Sequence, residues 1–404
     1  MQPYTELNLY HLALEEPWFS ADPAPELAKA RQQHPWLATS SYGPVVTHYP
    51  VVREIMSMED KLRNAFDEMI ERMGAKGTPW GDFQHNHILN QIGDEHKRLR
   101  DILAPAFTPR QANRHRDLMR QTISDLLDEW LPRGRFDFEE FISHYPIAVM
   151  CRMIGAPVDA IPNVRWALEA LGMSGSRRMD LLDTMNQAVL TLERFSSDLV
   201  AEREKRWKPG DDDDLLDTLL EARHGGGMTH AGLINLLVFL FGAGYDTSKN
   251  VMTLIMHEMV RHPDIYERCA GDTAFCSKVA DESMRFHGPV NGARLLTADI
   301  IHRDVLFPGG TTIWFPKSVI GQDPVTADDA GSFNPDRDVR QAHLGFGYGS
   351  HICLGQFIAR AQIAEGLSLI AQRMKKPTSP GPEGWRPFLG VWGIKGLPIE
   401  YDTA

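Results

Sequence analysis

The pattern of apolar positions predicts that helices make up most of this chain. Between residue 95 and about residue 270, apolar residues recur at three- and four-residue intervals, as in MRQTISDLLDEWL and MNQAVLTLERFSSDLVAEREKRW, which is the spacing of amphipathic helices. The segment DEHKRLRDILAPAF starts with acidic residues, which favour a helix N-terminus. Residues 353–374 return to a helical pattern.

One predicted helix differs from the others because it is apolar nearly all round. It covers residues 230–263, HAGLINLLVFLFGAGYDTSKNVMTLIMHEMVRHP. Its longest strongly apolar run, LINLLVFLFGAG, has 12 residues and is too short to span a bilayer. A helix of this kind is predicted to run through the centre of a large protein.

Shorter segments predict a smaller β region. Residues 293–318 contain ARLLTADIIHRDVLFPGGTTIWF, with PGG as a turn between strands. The tail FLGVWGIKGLPIEY is predicted to form a hairpin, and residues 74–94 a long functional loop. The acidic run GDDDDLLDTLLEA, residues 210–222, indicates a helix start, since it lacks the spacing of a calcium loop.

These patterns together predict a mainly α protein with a smaller β region, in one domain over residues 1–404. The β region is expected from residues of about 30–60, 293–318 and 385–402. The chain has 43% hydrophobic and 24% charged residues, as soluble globular proteins do. A formal net charge of −12 argues against a general nucleic-acid binder.

The expected location is the cytoplasm. The first twenty residues lack the basic and continuous apolar parts of a secretion signal. Four cysteines in 404 residues are too few for a disulfide framework, and a reducing compartment follows. Cys151, Cys269 and Cys276 lie in helix-like sequence, where small buried side chains are expected.

Cys353 lies in GFGYGSHICLGQ, residues 345–356. Its glycines allow a tight backbone turn, whose N–H groups and following helix can stabilise a thiolate. Phe346 can shield one side of the sulfur. A zinc site with His343 and His351 lacks a second ligand pair, and a nucleophilic cysteine needs a histidine base, for which His351 is near in sequence.

The sequence AGYDT, residues 243–247, places an acid and an alcohol in the middle of the apolar helix. The Thr247 hydroxyl can bond to the carbonyl of Ala243, four residues earlier. Since a buried polar pair is costly unless it is paired or hydrated, Asp246 and Thr247 are candidates for proton delivery. The alternative is a helix turn that faces solvent.

Two further patterns concern charges. Glu282 and Arg285 are three residues apart in DESMR, so they can pair on one helix face; a solvated surface pair is the alternative. His96 and Arg100 share a helix face, Arg294 opens a β segment, and His351 precedes the cysteine. If these four converge, they can neutralise two carboxylates on a buried cofactor.

As a set, these motifs resemble the cytochrome P-450 family of haem-thiolate monooxygenases. FGYGSHICLG matches the family pattern F-G-x-G-x-H-x-C-x-G, AGYDT matches its oxygen-activating helix, and Glu282 to Arg285 match its ExxR. FNPDR, residues 333–337, resembles the segment before the cysteine loop. The resemblance covers roughly residues 90–400 and is to soluble bacterial members, including relatives of camphor hydroxylase.

The resemblance implies a cytochrome P-450 fold with haem b between the central helix and the cysteine loop. Cys353 is implied as the axial thiolate of the haem iron, and Asp246 and Thr247 as the groups that deliver protons for O2 activation. Glu282 and Arg285 are implied as a structural pair. The implied haem-binding residues are His96, Arg100, Arg294, His351, Phe346, Ala243 and Gly355.

By the same resemblance, NAD(P)H supplies two electrons through a reductase and a ferredoxin of the [2Fe-2S] or a similar type. A basic contact surface for an acidic ferredoxin is expected from Lys97, Arg98, Arg100 and Arg360, although ordinary solvated side chains are the alternative for Lys97 and Arg98. No membrane or nucleic acid is expected as a partner, and the chain is expected to be a monomer.

The substrate site is expected above the haem. The residues expected to line it are mainly apolar and aromatic: Phe239, Ala243, Val290, Asn291, Val391, Trp392, Trp80, Phe83 and Leu171. Asn291, Gln84 or His85 can supply one hydrogen bond. Such a pocket suits a compact hydrophobic molecule of terpenoid, norisoprenoid or aromatic type, to be hydroxylated or epoxidised. The alternatives are a peroxide-driven haem-thiolate enzyme, a non-catalytic haem sensor and a cysteine hydrolase.

Overall fold

The computed structural model describes residues 2–211, 214–337 and 343–403. Helices dominate, which confirms the predicted fold class. The α-helices are α1 (Pro17–Ala21), α2 (Pro23–Gln33), α3 (Tyr49–Met56), α4 (Phe66–Arg72), α5 (Pro79–Asn86), α6 (Gly93–Leu103), α7 (Pro109–Arg114), α8 (Arg116–Trp130), α9 (Phe138–Ile154), α10 (Ile161–Gly172), α11 (Leu182–Glu204), α12 (Leu215–His224), α13 (His230–Arg261), α14 (Pro263–Gly271), α15 (Thr273–Phe286) and α16 (Gln356–Arg373).

The strands are short and come from the ends and the middle of the chain. They are β1 (Gln2–Pro3), β2 (Leu37–Ser40), β3 (Gly43–Val46), β4 (Leu62–Asn64), β5 (Arg135–Asp137), β6 (Gly292–Leu296), β7 (Ile300–His302), β8 (Val305–Phe307), β9 (Thr312–Phe315), β10 (Met374–Thr378), β11 (Gly384–Trp385), β12 (Ile394–Lys395) and β13 (Pro398–Thr403). The largest sheet has the order β2-β3-β9-β6-β4, and smaller sheets are β1-β8-β7, β10-β13-β5 and β11-β12.

The central helix predicted from the sequence is α13. It packs against α9, α10, α11 and α15, and most of its residues after Tyr245 are buried, including the polar ones. By length and mean hydropathy it could cross a membrane, but its apolar surface is covered by neighbouring helices. The apolar pattern of α13 is therefore explained by its burial among the neighbouring helices.

Residues 74–94 do not form the long loop that the sequence predicted. They contain α5, which starts at Pro79 after the N-cap Thr78, whose hydroxyl oxygen accepts a hydrogen bond from the Gly81 N–H at 3.2 Å. The cap and the proline at the first position define a helix start. The sequence pattern did not predict this eight-residue helix, because glycines and amides flank it and its apolar residues do not recur at a regular helical spacing.

The predicted hairpin in the tail is also wrong. β12 pairs with β11, whereas β13 pairs with β10 and β5 in another sheet. Gly396, with a φ of 72°, turns the chain between them. The acidic run at 210–222 does start a helix: Asp214 caps α12 and pairs with Arg203. Residues 212 and 213 of that run lie outside the described residues.

Candidate active site

A cavity of about 510 Å³ lies between the middle of α13 and the segment that carries Cys353. Cys353 and Ile358 lie on one side of it, and Ala243 and Thr247 of α13 line it as well. Its lining is mainly apolar, with a few charged side chains. The sequence motifs at 243–247 and 345–356, about a hundred residues apart, therefore open into the same space.

The loop before Cys353 is closed by its own backbone. The Cys353 N–H donates to the Phe346 carbonyl at 2.7 Å, and the Gly347 N–H donates to the Leu344 carbonyl at 2.9 Å. Gly347 has a φ of 81°, a conformation that glycine adopts readily. At Gly345 a side chain would meet the Met284 carbonyl oxygen at 2.6 Å, so this glycine allows the loop to lie directly against α15.

The Cys353 thiol faces the cavity, whereas Cys151, Cys269 and Cys276 are buried. Burial raises the pKa of Cys353, and this is opposed by the Gly355 N–H and by the charges of Arg100, Arg360 and Lys317. Backbone donors and cations favour a thiolate. Among the described residues no histidine forms a hydrogen bond with Cys353, so the geometry offers no base for a nucleophilic cysteine.

On α13 the Thr247 hydroxyl donates to the Ala243 carbonyl at 2.8 Å, as the four-residue spacing predicted. Asp246 is buried, with 3% of its surface exposed, which excludes the solvent-facing turn. Its Oδ1 accepts from Asn250 Nδ2 at 3.1 Å, while its Oδ2 is buried and has no hydrogen-bond partner among the described residues. A buried carboxylate oxygen without a donor is costly.

Arg386 is a partner of Asp246 that sequence reasoning missed. Its Nη1 donates to Asp246 Oδ1 at 2.6 Å, and Arg386 is itself only 5% exposed. Burial lowers the pKa of Arg386, but the charge and hydrogen bond of Asp246 outweigh this and raise it overall. Lys249 Nζ lies 3.9 Å from the same oxygen and 3.1 Å from Glu139. Asp246 is therefore held inside a buried charge network.

The four predicted carboxylate-binding residues converge on the cavity. The rings of His96 and His351 have centroids 4.0 Å apart, and Arg100 Nη1 donates to the Ile352 carbonyl at 2.8 Å. Burial and the neighbouring His96, Arg294 and Arg100 lower the pKa of His351 to about 3. Its Nδ1 is buried and lacks a hydrogen-bond partner among the described residues.

Lys317 is a fifth member of this group, and sequence reasoning missed it. Burial and then the charge of Arg294 lower its pKa to about 7, and burial lowers the pKa of Arg294 to about 10. A Cβ on Gly292 would lie 3.7 Å from Lys317 Nζ and 3.9 Å from Arg294 Nη1, so the two cations are close together. Among the described residues neither forms an ion pair. Adjacent buried cations of this kind fit a ligand with two carboxylates.

Glu282 and Arg285 form a buried pair, not a solvated one. Arg285 donates to both Glu282 oxygens at 2.8 and 2.7 Å. It also donates to the carbonyls of Gly321, Ala330 and Ser332 at 2.6 to 2.9 Å. The pair thus joins α15 to the segment that leads to the cysteine loop, which is a structural role.

Comparisons with known proteins show the family to which this chain belongs. The family model described as Cytochrome P450 matches residues 178–388, a span that contains Asp246, Thr247, Cys353 and the Glu282–Arg285 pair. The chain belongs to the cytochrome P450 family. It is 30% identical over 403 residues to luteothin monooxygenase from Streptomyces thioluteus, with 98% of this chain and 97% of that one covered.

Other relatives agree with this assignment. Cytochrome P450 monooxygenase PikC from Streptomyces venezuelae is 25% identical, over 95% of this chain and 92% of that one. Among solved structures, epothilone B-bound P450epoK superposes with a TM-score of 0.87 at 19% identity, covering 97% of this chain and all of that one. P450BioI in complex with an acyl carrier protein gives 0.85 at 21% identity, with 95% and 100% covered. These structures show the fold.

The chain is thus a cytochrome P450 monooxygenase, of a family that uses haem and O2. The residues present fit haem. A thiol lies on one side of the cavity, and the carboxylate-binding group of His96, Arg100, Arg294, His351 and Lys317 lies along it, with an orphaned nitrogen on His351. The predicted contact residues Phe346, Ala243 and Gly355 line the same cavity.

Most residues predicted to contact substrate line the cavity of this P450: Phe239, Ala243, Val290, Val391, Phe83 and Leu171. Trp80 and Trp392 do not. Both are fully buried, and their indole nitrogens donate to Ser174 Oγ and to the Ser20 carbonyl, each at 2.9 Å. Their size and apolarity place them in the core, where an indole N–H needs an internal acceptor.

Of the three polar residues predicted to offer a hydrogen bond to substrate, Asn291 and Gln84 line the cavity and His85 does not. Asn291 lines the cavity, but its amide donates to the Phe388 carbonyl at 2.7 Å and accepts from the Ser318 N–H at 3.0 Å. His85 is exposed and bonds Asp67 at 2.9 Å. His87 also lines the cavity, and its Nε2 lies 2.8 Å from Gln84 Oε1. Burial lowers the pKa of His87 to about 4, so it is neutral at pH 7.

The cations predicted to contact a redox partner are largely paired with acids. Lys97 bonds Asp101 at 2.5 Å and Arg98 bonds Glu95 at 2.5 Å, both on the surface of α6. Arg360 bonds Asp281 at 2.7 Å and lies over the Phe346 ring at 4.3 Å. The net positive charge that these residues offer to an acidic protein is therefore small; of the four, only Arg100 forms no ion pair with the described residues.

Proposed function

We propose that this P450 inserts one oxygen atom into a small hydrophobic substrate, with Cys353 as the residue whose thiolate would bind the iron of haem b. The observation that carries the proposal is that one cavity is lined both by the cysteine thiol and by the acid–alcohol pair of α13. A thiolate ligand donates electron density that favours O–O cleavage when haem is bound. The carboxylate-binding group holds the haem propionates.

Proton delivery is assigned to Asp246 and Thr247. Asp246 takes up and releases the proton at Oδ2, because Oδ1 is held by Arg386 and Asn250. Thr247 presents its hydroxyl to the cavity while bonding the Ala243 carbonyl, so it can exchange that bond for one to a bound molecule. General acid catalysis requires this kind of positioned donor.

The substrate and the electron source follow the same reasoning. The apolar lining supports a terpenoid, norisoprenoid or aromatic molecule, to be hydroxylated or epoxidised. We assign electron supply to NAD(P)H through a reductase and a ferredoxin, of the [2Fe-2S] or a similar type, that contacts Lys97, Arg98, Arg100 and Arg360. We further propose a monomer, with the cytoplasm as its location.

The test uses the purified holoenzyme in two steps. The reduced, CO-bound protein must show the red-shifted Soret band of thiolate ligation; a folded protein without it contradicts the role of Cys353. Thr247→Ala is then compared with Thr247→Ser and with Thr253→Ala, since Thr253 is buried on the same helix and bonds the Asn250 carbonyl.

With a substrate chosen by its spin-state shift, Thr247→Ala is expected to consume NAD(P)H at a near-normal rate while most electrons leave as peroxide or water. Thr247→Ser and Thr253→Ala are expected to keep the yield of oxygenated product. An unchanged yield in Thr247→Ala would show that the hydroxyl does not deliver protons.

A further inference from the structure

Arg177 is a charged residue inside the cavity that the proposed mechanism does not use. It follows the short 3-10 turn Ser174–Ser176 between α10 and α11 and has a φ of 58°, a left-handed conformation uncommon for residues other than glycine. The turn is held in place by Gly175, on which a Cβ would meet Gly390 Cα at 2.3 Å. This backbone conformation directs Arg177 into the cavity lining, while its neighbour Arg178 is exposed and donates to Asp180 at 3.1 Å.

The Arg177 guanidinium lies against two aromatic rings. It is 4.9 Å from the ring centroid of Trp314 on β9 and 5.2 Å from that of Tyr42, in the turn between β2 and β3. The Trp314 indole donates to the Tyr42 carbonyl at 3.1 Å, which fixes the pair. Stacking of this kind orients a guanidinium and leaves its N–H edge available.

Arg177 has no hydrogen bond or ion pair with the residues that the structure describes, and its Nε is buried. Burial and then the charge of Arg72 lower its pKa to about 10, so it stays a cation at neutral pH. The nearby acid is Glu68, whose Oε1 accepts from Arg63 at 2.8 Å and whose Oε2 is buried without a hydrogen-bond partner among the described residues, so it does not bond Arg177. A part-buried cation without a counter-charge is unfavourable unless a ligand supplies one.

The haem does not need this cation. Arg100, Arg294 and Lys317 also line the cavity, with Arg100 and Lys317 near Cys353 and Arg294 beside Lys317, and these three cations suffice for two propionates. The negative charge opposite Arg177 must therefore come from the substrate, which occupies the cavity together with haem. We propose that the substrates of this P450 are apolar molecules that carry one carboxylate, and that Arg177 binds this carboxylate. This inference rests on the proposed function and narrows its substrate class.

The experiment compares acids with their esters on the holoenzyme. The probes are dodecanoic acid and 1-naphthylacetic acid, each against its methyl ester, with Kd measured from the spin-state shift. The wild type is expected to bind at least one acid about tenfold more tightly than its ester, the size of effect expected for a charged hydrogen bond. Arg177→Met should abolish that preference, Arg177→Lys should keep part of it, and the exposed Arg178→Met should keep all of it.

Equal binding of acid and ester by the wild type, no spectral shift with either acid, or a preference that survives in Arg177→Met would each overturn the inference. The CO-bound spectrum of every variant serves as the folding check. A wild type that lacks the thiolate band contradicts the proposed function, whereas a wild type with that band and no acid preference contradicts only the role of Arg177.

Discussion

Arg386 binds Asp246 across 140 residues of sequence, with Nη1 2.6 Å from Oδ1 and both side chains buried. This bond and the one from Asn250 occupy Oδ1, and Oδ2 has no hydrogen-bond partner among the described residues. The position of the residue proposed to deliver protons is thus set by a residue in the C-terminal β region. Asp246 and Arg386 form one unit, and changes to either residue are expected to affect both stability and proton delivery.

Arg386→Met is expected to lower the free energy of unfolding by ~3 kcal/mol, because it leaves a buried carboxylate without its main cation. Lys249 Nζ lies 3.9 Å from Asp246 Oδ1, and this remaining cation is expected to limit the loss of stability. Urea denaturation of the holoenzyme measures it. Arg133→Met, which removes an exposed pair with Glu129, is the control and should cost under about 1 kcal/mol. Similar losses in both variants would contradict the importance of the buried pair.

Gly172→Ala is expected to displace the Asp246 carboxylate, because a Cβ there would lie 2.4 Å from Asp246 Oδ2. The yield of product per NAD(P)H consumed should then fall toward that of Asp246→Asn. Alanine normally stabilises a helix relative to glycine, so Gly271→Ala, where nothing lies within 4 Å, is the matched control. A normal product yield in Gly172→Ala would show that the carboxylate position is not critical.

Lys317→Met is expected to weaken haem binding, because it removes a buried cation beside Arg294. Transfer of haem to apomyoglobin should be about tenfold faster, the effect of losing one charged hydrogen bond. The reduction potential should become more negative, since less positive charge favours the ferric state. Lys208→Met, at an exposed position, should change neither quantity. An unchanged transfer rate in Lys317→Met would remove this residue from the carboxylate-binding group.

His87 is expected to make the protein less stable in acid. Its folded-state pKa of about 4 is below the ~6.5 of an unfolded histidine, so the unfolded state binds more protons between these values. The contribution of His87 to the free energy of unfolding is fully present above pH 6.5. It is lost as the pH falls toward 4, by at most about 1.4 kcal/mol per pH unit. His87→Gln should flatten unfolding free energy against pH in this window, whereas the exposed His11→Gln should not.

The sequence alone predicted those contacts whose two residues lie one helical turn apart. Thr247 bonds Ala243 because they are one helical turn apart, and Glu282 reaches Arg285 for the same reason. Arg386, Lys317 and Arg177 were missed because each acquires its partners only in the folded chain, and a single arginine or lysine has no local pattern. Residues 74–94 were misassigned because capping by Thr78, rather than apolar periodicity, starts α5.

Aromatic residues show a second limit of sequence reasoning. Phe83 lines the cavity and Trp80, three residues earlier, lies in the core. Apolarity favours burial in either place, and only the tertiary packing separates the two. The prediction of a tail hairpin is wrong for a related reason. The strands β12 and β13 do not pair with each other, because their partners lie in different segments of the chain. Strand pairing depends on distant residues that the local pattern does not contain.

Asn291 connects three segments. Its side-chain amide donates to the Phe388 carbonyl and accepts from the Ser318 N–H, and its backbone N–H donates to the Gly390 carbonyl at 3.1 Å. Its neighbour Val290 forms a β-bridge with Val391, so the backbone segments that carry these two cavity-lining side chains are fixed to each other. Exchanges among alanine, valine and leucine at positions 290 and 391 are therefore expected to change the cavity by one to three carbon atoms per position, while the hydrogen bonds of Asn291 stay in place. We expect substitutions at these two positions to change the site of oxidation with little loss of stability.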